Sequence, residues 1–157
     1  MSNLNPNATA DARKVVSGKD AQVFITGSDG KAIFLGEVES FQAQMAVNSA
    51  VIRALGTVQE MAYSTGYKVT VAFTEMVVRD DVLLEPIYRD IENGIFPRWD
   101  IRGQVIRGAD GQTHQQTFGD CVPDGTIDLL NIAAGDIIKR PWSFVSNATP
   151  KLLSYFK

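Results

Sequence analysis

Residues 67–74 have the sequence YKVTVAFT, in which apolar and polar side chains alternate. The odd positions from Tyr67 to Phe73 are apolar, and the even positions are Lys, Thr, Ala and Thr. A period of two residues is typical of a β-strand that buries one face and exposes the other. The segment therefore predicts an amphipathic strand, from which the chain can be interpreted in both directions.

The segments on the N-terminal side predict further strands. Residues 21–26 and 31–35 are rich in β-forming side chains and flank a GSDG turn at 27–30, a pattern typical of a β-hairpin. Residues 37–47 alternate over part of their length and predict a half-buried strand. Residues 1–20 are polar and are predicted to form an N-terminal arm.

On the C-terminal side the period changes once. Residues 80–93 (DDVLLEPIYRDIEN) carry apolar side chains at spacings of one, three and four, which predicts one amphipathic helix. We expect Asp80 or Asp81 to cap its N-terminus and Gly94 to end it. Further strands are predicted at residues 97–107, 112–118 and 136–145, with a short apolar run at 127–132.

Together these segments predict a mainly β (α+β) fold. Hairpins dominate, so we expect an antiparallel two-sheet β-barrel or sandwich of about seven strands with one amphipathic helix. This domain is predicted to cover residues 21–145 and to be followed by a C-terminal extension at 146–157.

Residues 48–65 (NSAVIRALGTVQEMAYST) show no clean period and are rich in apolar side chains. A long connection without structure of its own is uncommon in a compact domain. Two interpretations remain open: a long loop that docks onto a partner, or an irregular hairpin folded back onto its own core.

The composition excludes several classes of function. The chain has 157 residues, a net charge of −3, one cysteine and one histidine. A binder that relies on phosphate neutralisation usually has a basic excess, which is missing here. One cysteine excludes an intramolecular disulfide and any multi-cysteine metal site. With no apolar run of membrane-spanning length and no signal-peptide pattern, we expect a soluble protein that folds in a reducing cytoplasm.

Sequence motifs of catalysis are missing as well. The chain contains no phosphate-binding loop, dinucleotide fingerprint, nucleophile elbow or H-E-x-x-H motif. His114 is expected to be an exposed or sheet-face residue, and Cys121 a small buried hydrophobe. Asp120, Asp124 and Asp128 are interpreted as turn formers rather than cation ligands. We therefore expect no enzyme activity, no cofactor and no metal.

The polar faces of the predicted strands allow two interpretations. They are either ordinary solvated faces of an antiparallel sheet or the wet wall of a channel. The rows are Lys68, Thr70 and Thr74; Arg98, Asp100, Arg102 and Gln104; and a possible third row of Gln112, His114 and Gln116.

The order of these parts resembles that of the tail tube proteins of phages and phage-like particles, particularly the contractile-tail type. The similarity is carried by RALG at residues 53–56, which leads through TGYKVTV at 65–71, and by IIKRPWSF at 137–144. It covers most of residues 18–157.

The resemblance implies a structural subunit rather than an enzyme. Six copies would form a ring by pairing sheet edges, and rings would stack through the long loop and the termini around a channel for DNA or an effector. The implied partners are further copies of the chain, a tail sheath, a baseplate initiator and a tail terminator, with DNA only in transit and no membrane. The implied location is the virion tail, assembled in the bacterial host cytoplasm.

The resemblance also assigns residues to two surfaces. The inter-ring or inter-subunit contact residues are Val51, Ile52, Arg53, Leu55, Val58, Met61 and Tyr63. The lumen-facing candidates are Lys68, Thr70, Thr74, Arg98, Asp100, Arg102 and Gln104. The alternative function is a monomeric β-barrel that binds a small ligand in a deep apolar pocket, with the helix closing one end.

Overall fold

The computed structural model describes residues 16–27, 30–36, 38–76, 80–130 and 132–157. Within these ranges the chain forms eight strands and one α-helix, which confirms the mainly β fold. The elements are β1 (Ala21–Thr26), β2 (Ala32–Phe34), β3 (Val38–Ile52), β4 (Met61–Met76), α1 (Leu84–Ile91), β5 (Trp99–Ile106), β6 (Thr113–Pro123), β7 (Lys139–Ser146) and β8 (Lys151–Ser154).

All eight strands belong to one antiparallel sheet with the order β2-β1-β5-β6-β7-β4-β3, and β8 pairs with β6. The sheet folds over so that its two halves face each other across the core. At the point of closest approach, a Cβ on Gly103 of β5 would lie 3.2 Å from the ring of Phe41 on β3. The absent side chain at position 103 is what lets the two layers pack this closely.

The core is built from alternate residues of the strands. The period of two predicted for residues 67–74 is confirmed from Val69 onward, since Val69, Val71 and Phe73 are buried. The largest side chains that are completely enclosed are Trp142, Phe144, Ile25, Ile101, Val71 and Cys121. Stacked and edge-on aromatic contacts join Phe73, Trp99 and Trp142 to the central Phe144.

The helix is shorter than the predicted 80–93 and begins differently. Its N-cap is Leu83, without a side-chain cap, so the expected cap by Asp80 or Asp81 is wrong. The Asp80 carboxylate instead accepts a hydrogen bond from Arg140. Gly94 ends the helical segment as predicted, with φ at +76° and its N–H bonded to the carbonyl of Ile91.

The long loop predicted over residues 48–65 is mostly strand. β3 continues to Ile52 and β4 begins at Met61, so only residues 53–60 form the connection. The other interpretation of this segment, a hairpin folded back onto its own core, is also wrong, because its side chains are exposed. The hydrophobic pattern of residues 48–65 did not predict strands because apolar residues occur on both faces of the two strands. The alternation that is typical of a strand is therefore missing.

Two predicted segments at the C-terminal side differ from the structure in detail. The apolar run at 127–132 forms no strand among its described residues and lies in the connection between β6 and β7. The extension at 146–157 contains β8, which pairs with residues 115–117 of β6. The end of the chain described here is therefore part of the sheet.

Candidate assembly surface

The β3–β4 hairpin projects beyond the rest of the sheet. Pairing of β4 with β7 stops at Val69 opposite Ser146, so residues 61–68 of β4 are paired only with β3. Those eight residues extend about 25 Å at the usual rise of a strand. We call residues 46–68 the distal hairpin.

Both faces of the distal hairpin carry apolar side chains. Val47 and Val51 lie on one face of β3 and Ile52 lies on the other, because strand side chains alternate. Met61 opposes Ile52 directly, and Tyr63 follows on the same face. All five side chains are exposed. A strand pair that is apolar on both faces has no face suited to water, which is typical of a segment that is covered on both sides in its working state.

The tip of the distal hairpin is an ordered turn. Gly56 has φ at +83°, and Thr57 donates through both its N–H and its hydroxyl to the carbonyl of Ala54. These bonds hold Leu55 and Val58 outward, where they are almost completely exposed. The tip therefore presents two aliphatic side chains on a fixed turn.

All seven residues predicted as inter-subunit contacts lie in the distal hairpin. Six are large apolar side chains that are exposed, and the seventh, Arg53, approaches Glu60 across the tip at 3.9 Å. Their contact with another copy stays a prediction. Met45, Val47 and Tyr67 are also exposed, although they were not predicted as contacts. Their alternation continues that of the core strands, so the pattern favoured a buried position for them.

A second exposed apolar surface lies in the connection between β6 and β7. We call residues 124–130 and 132–138 the basal loop. Its exposed aliphatic side chains are Leu129, Leu130, Ile132 and Ile137. A depression of about 520 Å³ in this region is lined by Ala133, Gly135, Asp136, Ile137, Ile138 and Lys139. From the sequence, only a short apolar run without a role was predicted here.

A buried arginine fixes the basal loop to the sheet. Arg140 is 6% exposed, and its guanidinium donates to the carbonyls of Asp128 at 2.8 Å and Leu129 at 3.3 Å. The same guanidinium bonds Asp80 at 2.7 Å and lies 4.0 Å from the buried carboxylate of Glu75. The loop backbone is thus held by hydrogen bonds from a charged group, which are stronger than neutral ones.

The two predicted polar rows lie on the sheet face opposite the core. On β4, Lys68, Thr70 and Thr74 alternate with the buried residues of the strand. On β5, Arg102 stacks on the Phe24 ring at 4.5 Å, and Gln104 donates to Gln22 at 2.7 Å. β6 and β7 separate the two rows in the sheet, so they do not form one continuous stripe.

The N-terminal end of the β5 row is tied to a bulge in β6. Asp120 has φ at +51°, and its register with β5 shifts at this point. Asp100 accepts a bond from the Asp120 N–H at 2.9 Å, and Arg98 contacts the Asp120 carboxylate at 3.1 Å. The expectation of a turn-forming Asp120 is corrected to a bulge residue within a strand.

The third row lies on the other face. His114 is paired with Val105 and Gln116 with Gly103, so both point toward the inner face of the sheet. They line a groove of about 590 Å³ between β3 and the β1–β5–β6 part of the sheet. Its lining is mainly apolar, with Phe34, Phe41 and Phe118 beside the polar His114 and Gln116. The groove is open to solvent rather than enclosed, which distinguishes it from the deep apolar pocket that the alternative function predicts.

Two titratable groups in the described ranges have pKa values shifted by their surroundings. Burial raises the pKa of the Cys121 thiol to about 12, which keeps it protonated and unreactive. The hydrogen bond from Arg107 to Asp110 raises the pKa of that guanidinium. Across the described ranges, no group of three His, Cys, Asp or Glu side chains could hold a metal ion. Nor is any helix in those ranges long and apolar enough to cross a membrane.

The comparison with protein families identifies the chain. The family model described as phage tail tube protein matches residues 8–147. The chain belongs to the phage tail tube protein family. The resemblance inferred from the sequence is confirmed, and the function of the chain is that of a structural tail tube subunit. No curated protein matches this tail tube protein in sequence.

Solved structures share the fold of this tail tube protein at low sequence identity. A chain in the anti-feeding prophage baseplate has a TM-score of 0.64 and 8% identity, covering 89% of this chain and 95% of that chain. A chain in the sheath-tube complex of an extracellular contractile injection system has a TM-score of 0.62 and 10% identity. The match covers 98% of this chain and 100% of that chain. A chain in the virion of a gene transfer agent has a TM-score of 0.60 and 12% identity. The match covers 89% of this chain and 100% of that chain.

Proposed function

We propose that this tail tube protein assembles with copies of itself into hexameric rings that stack around a channel. The observation that carries the proposal is the distal hairpin, which projects from the domain with apolar side chains on both faces. Burying such a hairpin between neighbouring copies removes its apolar surface from water, at about 25 cal/mol for each Å². Ring symmetry is supported by the similar gene transfer agent tail, whose structure has C6 symmetry.

Ring closure uses unpaired sheet edges. Among the described strands, β3 pairs only with β4, so the other edge of its 15 residues is free. A free edge of this length is an aggregation hazard in a lone molecule, and pairing with a neighbour removes the hazard. A head-to-tail contact repeated by rotation closes into a ring.

The polar rows on β4 and β5, which lie on the outer faces of the two opposed halves of the sheet, are the candidate walls of the channel. Their charges are partly neutralised within the chain, as in the contact of Arg98 with Asp120. Each copy contributes the cations Lys68, Arg98 and Arg102 against the carboxylates of Asp100 and Asp120, so its small positive excess neutralises few phosphates and lets DNA or an effector pass without being held. The candidate lining residues are Lys68, Thr70, Thr74, Arg98, Asp100, Arg102 and Gln104.

The particle supplies the other partners. The similar chains come from structures of a baseplate, a sheath-tube complex and a tube-terminating cap. We infer that this chain likewise contacts a baseplate initiator, a sheath and a terminator, and that it is assembled in the bacterial host cytoplasm into a virion tail. It acts as a structural protein, without enzyme activity.

A shortened hairpin tests the proposal. Ser49 and Ser64 are paired directly, so residues 50–63 can be replaced by Asn-Gly, which forms a two-residue turn that fits an antiparallel pair. Negative-stain images should show rods for the full chain and dispersed particles for the shortened chain, with the same far-ultraviolet circular dichroism. Tyr88→Ser removes an exposed apolar side chain elsewhere and should leave the rods intact.

Two results would contradict the proposal. One is a shortened chain that forms rods as readily as the full chain. The other is a full chain that forms no rods when concentrated and is missing from the tails of the particle that encodes it.

A further inference from the structure

We propose that the outer face of the β1–β2–β5 part of the sheet is turned away from the channel, and that Arg102 on this face binds an acidic segment of the sheath protein. This assignment rests on the proposed tube function and names the surface that receives the sheath. The surface consists of Phe24 on β1, Phe34 on β2 and Arg102 on β5, which we call the aromatic–arginine patch.

Arg102 is held on an aromatic platform. Its guanidinium carbon lies 4.5 Å from the centre of the Phe24 ring, and the centres of the Phe24 and Phe34 rings are 5.5 Å apart. Phe24 and Arg102 are half-buried, whereas Phe34 is 51% exposed. A guanidinium stacked on a ring keeps the N–H groups in its plane available for an acceptor. The patch therefore presents an oriented cation beside an exposed aromatic ring.

Arg102 has no anionic partner within the described ranges. It forms no ion pair there, and its buried Nε lacks a hydrogen-bond partner. Asp100 lies two residues away on the same strand, but its carboxylate accepts the N–H of Asp120. The other described arginines contact carboxylates at 2.6 to 3.9 Å, and they are Arg53, Arg89, Arg98, Arg107 and Arg140. A guanidinium with unused donors is suited to a carboxylate, which it binds through two parallel hydrogen bonds.

The two outer faces of the sheet differ in how they would treat a passing molecule. The halves of the sheet face each other across the core, so their outer faces point in opposite directions and only one of them can line the channel. The outer rows of the β3–β4–β7 half are uncharged and without aromatic rings, namely Gln44 with Thr70 and Val145, and Gln42 with Ala72 and Ser143. Such rows offer a moving chain neither a ring to stack on nor a charge to hold it. The aromatic–arginine patch offers both and is therefore suited to a stationary partner.

The chemistry of the patch favours a protein over a nucleic acid. Binding to a phosphate backbone needs several cations, but Arg102 is the one cation of the patch, and Arg98 on the same strand is already paired with Asp120. Arginine and aromatic side chains are enriched at the centres of protein interfaces. A segment that carries an acidic side chain next to an apolar one fits this surface, with its carboxylate on Arg102 and its apolar side chain on Phe34.

Labelling of assembled rods tests which face lies outside. We would assemble rods from chains carrying Phe34→Cys or Thr70→Cys and add maleimide-coated gold particles that are as wide as the rod and cannot enter its channel. The native Cys121 is completely buried and need not be replaced. We expect gold along the sides of the Phe34→Cys rods and none along the sides of the Thr70→Cys rods.

Two labelling results would overturn the assignment of the faces. One is gold along the sides of the Thr70→Cys rods. The other is bare sides on the Phe34→Cys rods, which would place Arg102 against DNA in the channel or against a second copy.

A charge reversal tests the docking itself. Rods of Arg102→Glu would be mixed with the purified sheath protein of the same particle and sedimented. We expect sheath binding at least about tenfold weaker than for unsubstituted rods, the loss typical of a residue at the centre of an interface. Phe34→Ser removes an exposed ring without changing the charge and should also weaken binding. Lys19→Glu makes a charge reversal at an exposed lysine outside the patch and should leave binding unchanged.

The outcomes separate the docking surface from the tube function. Unsubstituted rods that bind no sheath protein, or Arg102→Glu and Phe34→Ser rods that bind it normally, would overturn the docking surface and leave the tube function standing. Failure of the unsubstituted chain to form rods under any condition would overturn the tube function, and the docking surface with it.

Discussion

At the scale of single residues, the charged group of greatest structural consequence is Arg140. Its neighbour in the core, Glu75, accepts a hydrogen bond from the Trp142 indole at 2.7 Å and lies 4.0 Å from the guanidinium. Both charged side chains are less than a tenth exposed. Such a pair is costly to desolvate, but removing Arg140 deletes its attraction to the buried Glu75 carboxylate and its hydrogen bonds to the carbonyls of Asp128 and Leu129.

Replacing Arg140 with leucine should therefore destabilise the protein strongly. We expect Arg140→Leu to lower the free energy of unfolding by about 3–5 kcal/mol, as for other broken buried pairs. Arg98→Leu removes an exposed ion pair with Asp120 and should change the free energy of unfolding by less than about 1 kcal/mol. Urea denaturation of both variants measures the difference. Equal losses of unfolding free energy in the two variants would show that the buried contacts of Arg140 stabilise the fold no more than an exposed ion pair does.

The thiol of Cys121 predicts a pH dependence. Burial raises its pKa from 9.0 to about 12 in the folded chain, so the unfolded chain loses this proton first as the pH rises. The free energy of unfolding should fall between pH 9 and pH 12, since the unfolded state then binds fewer protons. Cys121→Ala should show a smaller fall over that range. Native protein should also resist a thiol reagent at pH 8, and rapid labelling would contradict the buried position.

At the scale of elements, the sequence predicted those segments whose side chains alternate between core and solvent. β1 was predicted with its observed bounds, and the core part of β4 followed from alternation alone. The distal hairpin lacked that signal because both of its faces carry apolar side chains. The pairing of β8 with β6 and the anchoring of the basal loop by Arg140 join residues far apart in sequence, which no local pattern records.

Because β8 covers one edge of β6, its removal should expose that edge. Removing residues 151–157 deletes the pairing with 115–117 and the contact of Phe156 with the His114 ring. We expect faster hydrogen exchange at the amides of 113–117 and a lower melting temperature. Leu153→Ser changes an exposed β8 side chain without removing its backbone and should leave that exchange unaltered. Unchanged exchange in the truncated chain would refute the structural role of β8.

At the scale of the whole molecule, two groups of exposed apolar residues lie toward the two ends of β4, and others lie on α1, on the segment after it and on β8. The distal hairpin projects from one end, and the basal loop lies at the other. The core between them is closed and aromatic, so the domain folds around its own interior. The distal hairpin and the basal loop stay exposed in the lone domain, and identical neighbours in a tube would cover them.

Whether neighbouring copies cover the distal hairpin is measured most directly by comparing its hydrogen exchange in dispersed and in assembled protein. The backbone bonds of residues 46–52 and 61–68 join only the two strands of the hairpin, so they should open readily in a lone chain. Assembly into rods should slow exchange there at least about tenfold, with no comparable change at the core of β7. Rods in which the hairpin exchanges as fast as in dispersed protein would contradict the account.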